Sequence, residues 1–127
     1  MNILYCSESS AKPVENLGPY QIESLIEPNE EGQFTAYRVR IEPGQTTSES
    51  YHKIAEECYY VTAGKGIALL NGEEYALAPG DFLRLPPGTR HQFSTAESPL
   101  ELLDIHSPGS RPDRDVYFTG ETPKGFG

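Results

Sequence analysis

The sequence predicts an all-β fold, a barrel or sandwich of short strands. Three observations predict it. Apolar and aromatic residues alternate with polar ones at a period of two, turn signals recur every 8 to 12 residues or so, and no stretch carries a convincing helical period. Gly 12 and Pro 11 make up nearly a fifth of the 127 residues, against an average near 12%. That length also favours a single domain.

The elements follow in order. Residues 1–19 are polar and Ser-rich and read as an N-terminal arm, in which Ile3-Leu4-Tyr5 is the one patch able to form an edge strand. From Tyr20 the apolar Ile22, Leu25 and Ile26 run to Pro28, and Asn29 to Gln33 is a polar turn. In Phe34 to Ile41 the set Thr35, Tyr37, Val39, Ile41 alternates with Phe34, Ala36, Arg38, Arg40, the pattern of a half-buried strand ended by Pro43-Gly44. Cys58 to Thr62 is all β-branched, aromatic or Cys until Gly64-Lys65-Gly66 breaks it. Ile67 to Leu70 and Glu74 to Ala78 flank Asn71-Gly72, a type I′ hairpin signal because both central residues need positive φ. Pro79-Gly80 leads into Asp81 to Leu85, Pro86-Pro87-Gly88 into His91-Gln92-Phe93, and Leu100 to Ile105 is the last strong strand. The barrel is thus expected over residues 20–108. A C-terminal tail, 109–127, is rich in Pro, Gly and charge, and Val116-Tyr117-Phe118 would anchor it on the barrel or on a partner subunit.

Charge narrows the function. Lys plus Arg is 10 against Asp plus Glu 19, a net −9 with a pI near 4.7, which argues against nucleic acid as a partner. No apolar run reaches the roughly 20 residues of a membrane span and no signal-peptide layout is evident, so a cytoplasmic, membrane-free protein is expected. Cys6 and Cys58 are too few for a disulfide framework and are expected to be reduced.

Chemistry is concentrated in the histidines, of which there are three, His52, His91 and His106. The first lies in a block running Gly44, Ser50, His52, Glu57, Gly64, and the second in a block running Gly80, Pro86, Gly88, His91, Thr95. In these residues and spacings the chain resembles the cupin superfamily, whose first motif is G-x5-H-x-H-x3–4-E-x6-G and whose second is G-x5-P-x-G-x2-H-x3-N. Ser50 stands where the first motif histidine would be, and Thr95 where the asparagine would be. The resemblance implies a single-domain double-stranded β-helix, or jelly-roll barrel, with a metal site of His52, Glu57 and His91. Two imidazoles and one carboxylate suit a divalent transition metal (Fe, Mn, Ni, Zn or Co) and leave positions open for substrate. Ser50 and His52 share one strand face, as do Glu57 and Tyr59 on the next.

Around this set, Ser50, Tyr37, Tyr59, Arg84, Phe93 and His106 are candidates for binding substrate. Arg84 would offer a fork of donors to an anion if its face of the Phe82-Leu83-Arg84-Leu85 strand lines the cavity, the alternative being a surface salt bridge. Tyr37 and Tyr59 are candidate walls with hydroxyls to donate, and Phe93 shares the face of His91. His106 reads as a strand-end histidine on the face of Leu102 and Asp104, the alternative being that it replaces the lost imidazole. The resemblance implies dioxygenase, isomerase or lyase chemistry on a small organic substrate, by a homodimer. The rival expectation is a metal-free cupin that binds a metabolite without converting it.

Overall fold

The computed structural model describes residues 1–7 and 12–126. Eleven strands are present among them: β1 (Val14–Leu17), β2 (Tyr20–Ser24), β3 (Thr35–Ile41), β4 (Ser50–Tyr51), β5 (Glu56–Gly64), β6 (Gly66–Leu70), β7 (Glu73–Leu77), β8 (Phe82–Leu85), β9 (His91–Ser94), β10 (Leu100–Ser107) and β11 (Tyr117–Phe118). The one helical element described is a single 3-10 turn, Pro28–Glu30. The strands form two antiparallel sheets of a jelly-roll barrel, in the orders β1-β2-β3-β10-β5-β8 and β11-β4-β9-β6-β7. No described helix is long and apolar enough to cross a membrane.

Pairing runs wider than residues 20–108. The N-terminal edge strand is β1, paired with β2 through a turn at Gly18 (φ 59), and Ile3-Leu4-Tyr5 is not a strand. Composition concealed β1 because an edge strand with an exposed face need not alternate apolar with polar residues. In the tail, β11 pairs with β4, so the anchor at Val116-Tyr117-Phe118 joins the second sheet. Residues 8–11 of the arm and 127 of the tail lie outside the described residues.

Local chemistry sets the turns. Asn71 (φ 49) and Gly72 (φ 86) make the expected type I′ turn between β6 and β7. Gly64 has φ 79, and a Cβ there would lie 1.8 Å from the Pro99 carbonyl oxygen, so β5 can only pass the end of β10 without a side chain. Thr95 does the tethering at the second motif. Its hydroxyl accepts from the Gln45 N–H at 3.0 Å and donates to the Glu42 carbonyl at 2.6 Å, which fastens the turn that leads toward β4. Thr95→Val is expected to lower stability by about 1 kcal/mol in a denaturant titration, without altering metal uptake.

The inner faces divide the interior into two zones. On β10 the buried positions run Leu100, Leu102, Asp104, His106, and on β5 they run Glu57, Tyr59, Val61. Antiparallel register sets Leu102 opposite Val61 and His106 opposite Glu57. One end of the barrel is therefore an apolar core that includes Val39, Ile41, Val61, Phe93, Leu100 and Leu102. Its other end buries Ser50, His52, Glu57, His91, Asp104 and His106.

Candidate metal centre

Each member of this polar zone is placed by strand pairing. β4 brings Ser50 opposite His91 of β9, and His52 follows as the chain leaves β4. β5 presents Glu57, which is 1% exposed, and β10 lies directly beside it with His106 in register. Three imidazoles consequently converge on one carboxylate. The Nε2 atoms of His52 and His91 lie 3.2 and 3.4 Å from Glu57 Oε1, and His106 Nε2 lies 2.7 Å from Oε2. His52 and His106 also bring their Nε2 atoms to 3.2 Å of one another.

Two of the rings have their tautomer fixed from behind. His52 Nδ1 meets the Asp115 carbonyl oxygen at 2.6 Å, and His91 Nδ1 meets the Thr89 carbonyl oxygen at 3.1 Å. A carbonyl only accepts, so each Nδ1 must carry the proton and donate it. In the neutral rings Nε2 is then a lone pair aimed at the centre, the state a metal ligand requires. Acceptors thus face acceptors. The ligand atoms of His52, Glu57 and His91 lie within 4.8 Å of one another, as do those of Glu57, Asp104 and His106. Glu57 Oε1, Asp104 Oδ1 and His106 Nδ1 are buried without a hydrogen-bond partner, and a buried carboxylate oxygen left so is costly unless a cation serves it. This donor set fits a divalent transition metal.

Without a metal, positive charge on the histidines is what offsets Glu57. Burial would raise the Glu57 carboxyl, but the charges of His106 and His91 and the hydrogen bond from His106 hold it well below the usual carboxylate range. Burial alone would lower His52, yet the Glu57 carboxylate 3.2 Å from its Nε2 and the Asp115 carbonyl lift it above the ordinary histidine value. His91 is pushed down by burial. Asp104 is driven well above its normal range by burial and by the negative Glu57 beside it.

Above the centre is a cavity lined on one side by Tyr20, Ile22, Tyr37 and Val39 and on the other by Pro112, Val116, Phe118 and Phe126, with Ser50, Tyr59 and Asp104 among its polar contributors. Several sequence candidates therefore meet at one place: Ser50, His52, Glu57, Tyr37, Tyr59, His91 and His106. His106 sits in the centre itself, where reading it as a strand-end histidine had set it apart. The alternation Leu102, Asp104, His106 carried the signal for its inward direction, but only strand adjacency shows what it faces.

Arg84 is corrected. Leu83 and Leu85 face inward, and Arg84 lies on the outer surface beside Glu56 at 3.5 Å with 63% of its side chain exposed. Arg84→Ala is expected to shift stability by less than about 0.5 kcal/mol and to leave ligand and metal titrations unchanged. Phe93 is corrected too: it packs edge-on to Tyr59 at 5.0 Å, within the core behind Tyr59 and His91 rather than on the cavity wall. Tyr37 does line the cavity, but its hydroxyl donates to the Ser110 carbonyl at 2.6 Å. Sequence reading did not single out Asp104, Ser110 or Asp115 as parts of the site.

Comparison with known proteins places this arrangement. An uncharacterized protein of Methanocaldococcus jannaschii is 28% identical over 120 residues, 91% of this chain and 96% of that one. The polyketide cyclase RemF from Streptomyces resistomycificus superposes with a TM-score of 0.77 at 20% identity, over 95% of this chain and 90% of the other. The Streptomyces nucleoside dehydratase Pac13 gives 0.72 at 23% identity, over 91% and 90%. At these identities the two structures speak for the fold. The family model described as a cupin domain matches residues 37–106, more than half of the sequence and the span that runs from β3 through His106, and the chain belongs to the cupin family.

Proposed function

We propose that this cupin holds a divalent transition metal through His52, Glu57, His91 and His106 and acts on a small, largely apolar organic molecule. The observation that carries the reading is the convergence of three Nε2 atoms on the Glu57 carboxylate, two of them fixed as lone pairs by carbonyls behind the rings. His106 supplies the imidazole that Ser50 does not. When bound, the metal would serve as a Lewis acid toward an oxygen of the substrate.

The wall supports the substrate class. Tyr20, Ile22, Val39, Val116, Phe118 and Phe126 present ring and aliphatic carbon to the cavity, a surface suited to an unsaturated or ring compound. Its arginine, Arg111, already gives Nε to Glu31 and Nη2 to the Ile26 carbonyl, both at 2.9 Å. A phosphate would find few donors here. Among the neighbours compared, the wall is closer to the demands of a polyketide than of a nucleoside. Groups able to give and take protons, Glu57, Asp104 and the histidines, stand at the floor, which supports isomerase or lyase chemistry.

Elemental analysis of protein purified without chelator, followed by reconstitution with Fe, Mn, Ni, Zn and Co in turn, tests the metal. About one ion per chain is expected, and no uptake of any would favour the metal-free binding protein instead. Acid should release it. A proton competes with metal for each Nε2, and because His52 is raised above its ordinary value of about 6.5, affinity should begin to fall above that pH and drop further as pH decreases. A metal titration flat between pH 5 and 8 would contradict this.

We also propose a homodimer through the outer face of the first sheet, where exposed Tyr60 and Phe82 lie opposite one another on β5 and β8. Light scattering reads this directly, and a mass near 14 kDa would refute it.

A further inference from the structure

The segment from Ser110 to Thr119 does more than cover the cavity. Its Asp115, at φ 61, touches the ligand-bearing chain with two groups at once. The carbonyl accepts from His52 Nδ1 at 2.6 Å, while the carboxylate accepts the N–H groups of Lys53, Ile54 and Ala55 at 2.9 to 3.2 Å. The same segment is zipped to β4 by the β11 ladder, by Tyr117 stacked on Tyr51 at 5.6 Å and by the Thr119 N–H on the Glu49 carbonyl. At its other end Ser110 holds Thr35 and Tyr37, and a clasp closes over Glu31, whose carboxylate takes Arg111 Nε at 2.9 Å and Arg114 Nη2 at 2.6 Å.

We infer that residues 110–119 are an integral part of the metal centre, with Asp115 as the positioning residue of His52, so that metal binding and docking of this segment strengthen each other. This rests on the metal reading above. The physical reason is that the proton on His52 Nδ1 is directed by a carbonyl belonging to the segment. With the segment away, Nδ1 faces solvent, and the ring loses both its fixed tautomer and its fixed direction. Linkage then requires reciprocity: if docking raises metal affinity, metal must favour docking by the same factor. The segment also supplies Pro112, Val116 and Phe118 to the cavity wall, so its docking completes the enclosure around a bound substrate.

Two variants and one measurement on the unaltered protein test this. Asp115→Gly tolerates the positive φ and keeps the carbonyl while deleting the carboxylate. With the carbonyl no longer held in place by the carboxylate's bonds to Lys53, Ile54 and Ala55, metal binding should weaken by up to about 10-fold, less than for outright loss of an outer partner. Glu31→Gln touches none of the four ligands and should still weaken it by at least about 5-fold. Hydrogen exchange should slow at the Ser110 and Thr119 amides, which bond across to Thr35 Oγ1 at 3.0 Å and to the Glu49 carbonyl at 3.3 Å, when the metal is added, and His91→Ala should erase that slowing. Wild-type affinity in Glu31→Gln, or tail amides indifferent to metal, would overturn the coupling alone. Failure of the wild-type protein to take up any metal would overturn the metal reading and this inference with it.

Discussion

Glu57→Gln is expected to abolish metal binding and to leave the barrel standing. The side chain is 1% exposed and is the common neighbour of three imidazole Nε2 atoms within 3.4 Å. Glutamine has almost the same shape but no charge, and its amide N–H can donate to the very lone pair that a metal would use. Affinity should fall by more than about 100-fold, beyond the range for loss of an outer partner. The metal-free fold should not suffer in proportion, because a buried carboxylate pays a desolvation penalty that the amide avoids. Metal titration beside thermal unfolding monitored by circular dichroism separates the two effects. A dissociation constant within tenfold of wild type would remove Glu57 from the donor set.

The second large effect concerns the exchanged imidazole. His106→Ala should reduce metal affinity about as much as His52→Ala, because both present Nε2 to the same carboxylate, at 2.7 and 3.2 Å. Adding Ser50→His to that variant should return part of the loss. Position 50 faces His91 across the β4–β9 pair, with its hydroxyl 3.4 Å from His91 Nε2, so a side chain there already points into the cluster. Recovery of at least about tenfold, worth about 1.4 kcal/mol, is expected in the double variant. If His106→Ala binds metal normally, His106 is a hydrogen-bond partner of Glu57 and no ligand.

The contrast between His52 and His106 explains how far the sequence could be read. His52, Glu57 and His91 lie on local spacings between turn glycines, and turn chemistry is a local property. So is the Asn71-Gly72 hairpin. His106 owes its place to β10 lying between β3 and β5, an adjacency of strands far apart along the chain that no spacing encodes. Arg84 illustrates a different gap. Alternation separates Phe82 and Arg84 from Leu83 and Leu85 but does not say which pair turns inward, and the apolar core decided it. Asp115 was hidden for a third reason, since its most telling group is a backbone carbonyl, which every residue possesses.

The position of β10 also bears on when, during biosynthesis, the proposed ion would be taken up. Glu57 and His106 come from strands separated by the entire β6 to β9 excursion, and their pairing closes a long loop of chain whose entropy must be overcome before the contact returns any energy. A nascent polypeptide that has exposed only His52, Glu57 and His91 carries three of the four proposed ligands on an unfinished sheet. On the proposed metal reading, selective loading is expected late, after β10 has inserted, and a chain stalled before that point would offer its imidazoles to whatever ion is most abundant.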